Sequence, residues 1–290
     1  MAPQLCLGTA QFGLPYGITN DSGQVPESEV RSILSLAAQA GIQLLDTAQG
    51  YGSSEAVLGR CWPFAAPRRL ISKLSAQNEF NTWELSFQAS LRRLAASSLD
   101  AFLLHRSADL TGSNGDLLLT WMESLRSRGL VKRIGVSIYD ASELDALPLD
   151  RLQLVQLPLS IYDQRLLLDG TVARLRRAGV IVHARSIFLQ GLLLQAPEQW
   201  PSFLSPPFQC HHRRLISFLA QRNLTLLDAA LIFARSCEGL EAALIGVLSV
   251  EEMYEVLQSW QQPHTAEFGS LKEWAWENAT DLDPRFWPTG

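Results

Sequence analysis

A closed (β/α)8 barrel, an α/β fold of the TIM-barrel class, is what this 290-residue sequence predicts, and three observations predict it. Short aliphatic runs alternate with longer segments of helical period, the short runs number eight, and no Pro/Gly/Ser-rich linker divides the chain. Repeated strand, helix, strand units imply parallel pairing, and eight of them leave no sheet edge when they close into a barrel. An open doubly wound sheet is the alternative, but Gly8-Thr9-Ala10-Gln11-Phe12-Gly13 has the wrong spacing for a G-x-G-x-x-G turn. One domain over residues 1–290 is expected, with a tail from about residue 265.

In chain order the strands are expected at Leu5 to Thr9, Ile42 to Asp46, Leu70 to Lys73, Ala101 to His105, Ile134 to Ser137, Leu152 to Gln156, Val180 to Ala184 and Ala242 to Gly246. Helical periodicity marks Glu27 to Ala40, Ser54 to Cys61, Thr82 to Ala95, Leu117 to Arg128, Ser142 to Leu147, Arg165 to Ala178 and Val250 to Trp260. Gly41, Gly129 and Gly179 each follow such a segment and precede a strand, where a left-handed residue ends a helix. Leu192 to Gln209, with Pro197, Pro201, Pro206 and Pro207, reads as too proline-rich for helix and as a loop that could form a lid. In the tail, Phe268, Leu271 and Trp274 share one face of an expected packing helix that could close one side of a pocket.

The bulk composition excludes several functions. At 47% hydrophobic and 18% charged residues, the chain has material for a large core and is too apolar for disorder. A net charge of -5 without a long Lys/Arg run gives no nucleic-acid footprint. No basic-then-apolar leader and no run of about 18 apolar residues is present, so a cytoplasmic protein without a membrane span is expected. Cys6, Cys61, Cys210 and Cys237 are scattered and read as buried hydrophobes, and Cys210-His211-His212 reads as a helix start, so no metal is expected.

Polar residues stand at or just past the ends of strands two to seven: Asp46, Lys73, His105, Ser137, Gln156 and Arg185. Taken singly, each has an ordinary explanation: a loop cap for Asp46, a snorkelling Lys73, a satisfied core histidine for His105. Together with Tyr51, five residues past Asp46 in the loop Thr47 to Gly52, they form a device. A phenol with a reference pKa of about 10 is a weak acid at neutral pH unless a fixed cation assists it, and a buried cation needs a counter-charge. In a barrel the ends of strands two to four are neighbours, so Asp46 would hold Lys73, Lys73 would act on Tyr51, and His105 would orient a substrate oxygen. Such a hydroxyl is a general acid for a carbonyl accepting hydride, and because no side chain supplies hydride, a nicotinamide is implied.

With these residues in place the chain resembles the aldo-keto reductase family, whose signature matches Asp46-Thr47-Ala48 through Tyr51-Gly52 and Ser54-Glu55. The resemblance runs from Leu7 to about Glu255 and places the family's catalytic tetrad on Asp46, Tyr51, Lys73 and His105. It implies a barrel that binds NADPH, or less often NADH, extended across its mouth. It further implies that Ser137 and Gln156 hold the carboxamide, that Arg185, Ser186 and the segment to Gly191 cover the nicotinamide and pyrophosphate, and that Gly246 to Ser249 holds the adenosine phosphate. The segments Leu7 to Gly13 and Arg185 to Gly191 resemble a bacterial branch associated with polysaccharide or sugar metabolism.

The sequence departs from the family at three places. Ile138 stands where asparagine is common, which removes one carboxamide contact. Arg185 stands where an aromatic often stacks on the nicotinamide, and either stacks there itself or binds an anionic group of the substrate. No cation occurs in Gly246 to Ser249, so discrimination for NADPH should be weak or reversed, with Glu251, Glu252 and Glu255 reaching the ribose hydroxyls. Phe12, Tyr16, Tyr139, Tyr162 and Phe188 are expected to line the mouth. The expected partner is a small carbonyl substrate, with no nucleic acid or membrane, and a monomer is compatible with the sequence. The readings carried forward are carbonyl reduction, cofactor-retaining sugar epimerisation or dehydration, and cofactor sensing by a regulatory subunit like the family's potassium-channel β-subunits.

Overall fold

Eight parallel strands, paired in chain order and closed by β1 against β8, form a barrel in the computed structural model, which describes residues 2–63, 65–75, 80–262 and 270–288. The strands are β1 (Gln4–Gly8), β2 (Leu44–Asp46), β3 (Arg69–Leu74), β4 (Leu99–Leu104), β5 (Val131–Ser137), β6 (Leu154–Pro158), β7 (Ile181–Arg185) and β8 (Ala242–Ile245). All eight lie within two or three residues of their expected positions. Among the described residues no helix is long and apolar enough to cross a membrane.

The strands are apolar on both faces because both faces are covered. Cys6, Leu44, Ile71, Leu103, Leu154 and Leu244 pack into one buried cluster inside the barrel. Their chain neighbours Leu7, Leu45, Phe102, Leu104, Val155 and Ile245 point the other way, into the larger core beneath the helices. The period of two is therefore intact even where the hydrophobic run is continuous, and it sets which side chains emerge at the barrel mouth. Toward the amino-terminal ends of the strands, Arg69, Asp100, Arg133 and Glu241 form an ion-pair network, to which the buried His183 is joined at 3.0 Å from Glu241.

The helices Glu27–Gln39, Ser54–Cys61, Phe80–Arg93, Gly115–Ser127 and Val250–Gln261 match expectation, and Gly41, Gly129 and Gly179 take positive φ behind their helices. Ser142 to Leu147 is a 3-10 segment, Ala141–Ala146, closed by an Asp140/Glu143 capping box. The single helix expected from Arg165 to Ala178 is instead two, Arg165–Leu168 and Thr171–Arg177. The break falls at Gly170 (φ 85°), beside an Asp169 carboxylate that accepts from the Thr171 amide.

Two helices absent from the expectation, Pro206–Ala220 and Leu226–Ser236, fill the long connection between β7 and β8. The proline count misled here: Pro206 and Pro207 occupy the first turn, where no backbone donor is required, and the Ser205 hydroxyl accepts from the Phe208 amide. The preceding segment is packed rather than a free lid, for Trp200 is buried, donates to the Leu192 carbonyl at 2.8 Å and stacks on His212. His211 and His212 are committed to the Trp274 carbonyl and to the Tyr162 hydroxyl and Gln195 carbonyl.

Thr265 and Phe268 lie outside the described residues. The described part of the tail is not one helix but three short turns, Leu271–Trp274, Ala279–Leu282 and Pro284–Phe286. It is fastened by Trp276 donating to Tyr162, by Trp276 and Ser205 side chains donating to Asp281, and by Arg285, whose guanidinium lies 4.1 Å from the centre of the Tyr139 ring.

Candidate active site

The inward phase of the strands leads directly to the site. Two residues beyond Cys6, Leu44, Ile71, Leu103, Leu154 and Leu244 come Gly8, Asp46, Lys73, His105, Gln156 and Gly246, and Ser137 and Arg185 end β5 and β7. All eight line one cavity of about 510 Å³ at the carboxyl ends of the strands, so every strand contributes to it.

Tyr51 reaches the same cavity from a loop that is tied down along its length. The Thr47 and Gln49 amides donate to Ile71 and Lys73, Tyr51 donates to Ala48, and the Tyr51 carbonyl accepts from Ser54, which begins the next helix. Gly13 and Gly52 permit the close contact of this loop with the β1 loop: a Cβ on Gly13 would lie 1.9 Å from the Tyr51 carbonyl, and one on Gly52 2.3 Å from the Gly13 carbonyl. A side chain at either position would displace the tyrosine.

Lys73 is 1% exposed and Asp46 2%. The Lys73 ammonium donates to Asp46 Oδ1 and to the Thr47 carbonyl at 3.2 Å, and sits 5.1 Å from the centre of the Tyr51 ring. Burial opposes the lysine charge, but the Asp46 carboxylate outweighs it and the pKa of Lys73 is raised, so the cation is permanent at neutral pH. Asp46 Oδ2 accepts from Gln156 Nε2 at 2.9 Å, which satisfies the second carboxylate oxygen. The His105 ring meets Tyr51 edge to face at 5.7 Å. Desolvation, then the Lys73 charge, push its pKa down to about 4, so the imidazole is neutral at pH 7 and carries a single N–H donor.

Gln156 has a second part to play. With its amide nitrogen committed to Asp46, its Oε1 is buried without a hydrogen-bond partner among the described residues. A buried orphan acceptor at a cavity wall costs about 1–3 kcal/mol unless a ligand donor meets it, and a primary carboxamide fits that need. Beside Gln156, on the neighbouring strand, the Ser137 hydroxyl accepts from Arg185 Nε at 3.3 Å. Beyond Arg185, Ser186, Leu189 and Gln190 are non-glycine residues with φ of 63°, 49° and 55°, conformations that cost roughly 1–2 kcal/mol each. Ser186, Gln190 and Gly191 line the cavity, and the Thr19 hydroxyl holds the Gln190 carbonyl at 3.2 Å.

The remaining expectations divide. Gly246, Glu252 and Glu255 line the cavity, but Ser249 does not: its hydroxyl accepts from the Glu252 amide and caps the helix Val250–Gln261. Glu251 also lies outside the lining, and Glu252 accepts from the Leu248 amide at 2.7 Å. Tyr16, Tyr139 and Phe188 are at the wall as expected, whereas Phe12 and Tyr162 are fully buried in the core. Ile138 is buried too, and its carbonyl accepts from Arg185. Gly8 and Gln11 were missed, although the strand phase that selects Asp46 also selects Gly8.

Known proteins are similar to this chain in sequence and in fold. Two curated mycobacterial proteins named aldo-keto reductases are similar: one from Mycolicibacterium vanbaalenii is 31% identical over 156 residues, covering 47% of this chain and 54% of that one. The other, from Mycolicibacterium paratuberculosis, is 34% identical over 144 residues, covering 44% and 50%. The alignments thus span about half the length of these relatives. In fold, the chain is similar to the holo form of the aldo-keto reductase AKR11C1 from Bacillus halodurans, with a TM-score of 0.71 at 20% identity over 94% of this chain and 92% of that one. The sequence model of the Aldo/keto reductase family matches residues 4–273, nearly the whole chain, and the protein belongs to that family.

Proposed function

We propose that this chain reduces an aldehyde or ketone to an alcohol with a nicotinamide cofactor, using Tyr51 as the general acid. The observation that carries the reading is the buried Asp46–Lys73 pair, which fixes a cation 5.1 Å from the Tyr51 ring centre at the wall of the cavity. When bound, the nicotinamide supplies the hydride that no side chain can. Tyr51 gives its proton to the carbonyl oxygen as charge develops there, and Lys73 stabilises the phenolate that remains. Neutral His105 directs an N–H at the same oxygen without competing as a proton source.

Ser137 and Gln156 are the residues suited to hold the carboxamide, Gln156 through its orphan Oε1. The strained segment from Ser186 to Gly191 and the Gly246 to Leu248 segment would hold the phosphates and adenosine, with Gly246, Glu252 and Glu255 among the lining residues. Among the described residues, the only lysine and arginine lining the cavity are Lys73 and Arg185, both at strand ends by the tetrad. A 2′-phosphate beside Glu252 and Glu255 would therefore lack charge-assisted partners worth about 1.5–3 kcal/mol each, which favours NADH. Gln190 and Gln195 amides at the wall suit a hydroxylated, sugar-like carbonyl substrate.

Three measurements test this reading. Tyr51→Phe should lower single-turnover carbonyl reduction by at least roughly 10²–10⁴-fold while cofactor affinity stays within a few fold; retained turnover excludes Tyr51 as the acid. Fluorescence titration should find NADH bound at least as tightly as NADPH, and NADPH bound about a hundredfold tighter would overturn the electrostatic argument. NMR titration of the His105 imidazole should give a midpoint at about 4 rather than the ordinary 6.5. Because the folded value is lowered, the unfolded chain takes up this proton first, so acidification from pH 6.5 toward 4 weakens folding through His105.

A further inference from the structure

Arg185 is a cation without a counter-ion at the reacting end of the cavity. The other lining cation, Lys73, is neutralised by Asp46, but Arg185 has no carboxylate within ion-pair distance among the described residues. Its neighbour across the Tyr139 ring, Arg285, is paired with Asp283 and Glu143, so Tyr139 is stacked between one neutralised guanidinium and one bare one. The bare one lies 3.9 Å from the ring centre.

The hydrogen bonds of Arg185 leave a usable fork. Nε donates to the Ser137 hydroxyl at 3.3 Å, one terminal nitrogen to the Ser186 hydroxyl at 3.4 Å, and the other to the Ile138 carbonyl at 3.0 Å. A guanidinium has five N–H groups, so one proton on each terminal nitrogen stays uncommitted, in the planar arrangement that matches two oxygens of an anion. The three acceptors that position the group are all uncharged, and Tyr139 fixes its plane. A half-buried cation held this way has lost water without gaining a counter-charge, a cost that an anionic ligand would repay. The Arg185 charge also contributes to lowering the His105 pKa and acts on Tyr16, which places its field at the reacting end of the cavity.

We propose that Arg185 is a specificity-determining residue that binds an anionic group, carboxylate or phosphate, carried by the carbonyl substrate, so that this chain acts on acidic aldehydes or ketones in preference to neutral ones. The inference rests on the reductase reading and deepens it. Ile138 belongs to the same device, because it offers the backbone carbonyl that anchors the guanidinium and no side-chain group that would compete for the fork.

The test uses matched substrates with the full chain and NADH: succinic semialdehyde against butanal, and glyceraldehyde 3-phosphate against glyceraldehyde. In the wild type the charged member of at least one pair should have a kcat/KM at least about tenfold higher, and Arg185→Gln should collapse that ratio by about tenfold or more, with Arg185→Lys in between. The responsive pair tells carboxylate from phosphate. Equilibrium binding of succinate and inorganic phosphate by calorimetry gives a second readout, expected to be lost in Arg185→Gln, with circular dichroism confirming that the variant folds. Equal efficiency within both pairs overturns the proposal and leaves the reductase reading intact. An Arg185→Gln variant that keeps the ratio but loses NADH affinity also overturns it, since the guanidinium then serves the cofactor. Arg185-dependent succinate or phosphate binding by a protein that reduces none of the four supports the anion site and removes the reductase reading instead.

Discussion

The buried pair of Asp46 and Lys73 is the constraint around which the upper half of the barrel is arranged. An ammonium that is 1% exposed keeps its charge only if a carboxylate stands against it, and that carboxylate needs its second oxygen satisfied in turn. Gln156, 110 residues further along the chain, supplies the second bond, and the Thr47 carbonyl takes another lysine proton. Three strands, β2, β3 and β6, are thereby linked through the interior of the barrel. Removing one partner of such a pair costs about 3–5 kcal/mol, so these contacts hold the mouth together.

Two consequences follow from where the remaining polar atoms point. Since the Gln156 nitrogen is spent on Asp46, its oxygen is left buried without a hydrogen-bond partner among the described residues, the acceptor for a carboxamide in the proposed reading. Since Asp46 is spent on Lys73, nothing in the lining neutralises Arg185 among the described residues, although Glu252 and Glu255 line the same cavity. On the proposed reading, the nucleotide without an extra phosphate is the one suited to Glu252 and Glu255, and the acidic carbonyl the one suited to Arg185.

Much of this was legible in the sequence because strand phase is strict. Asp46, Lys73, His105 and Gln156 can be found from the chain alone, since each follows an inward aliphatic residue by two positions. Composition was a poorer guide than position. Pro206 and Pro207 looked like helix breakers but occupy a first turn, and Ser249, read as a phosphate ligand, caps a helix by accepting from the Glu252 amide. Phe12 and Tyr162 looked like wall residues because they follow strands, yet side-chain direction in a loop has no fixed period, and both turn into the core. The Gln156 to Asp46 bond and the Arg185, Tyr139, Arg285 stack were invisible for a different reason: they depend on distances between residues far apart in the chain.

On the proposed reading the buried charge pair is kept for the chemistry at Tyr51, because replacing both charges together costs the fold little even though removing one alone costs much. The double variant Asp46→Asn/Lys73→Met removes both charges, preserves volume and leaves Gln156 an acceptor. It should therefore unfold within about 1–2 kcal/mol of the wild type and still bind NADH, while single-turnover carbonyl reduction falls at least about a hundredfold. Reduction within about tenfold of the wild type in that folded, cofactor-binding variant would contradict the account.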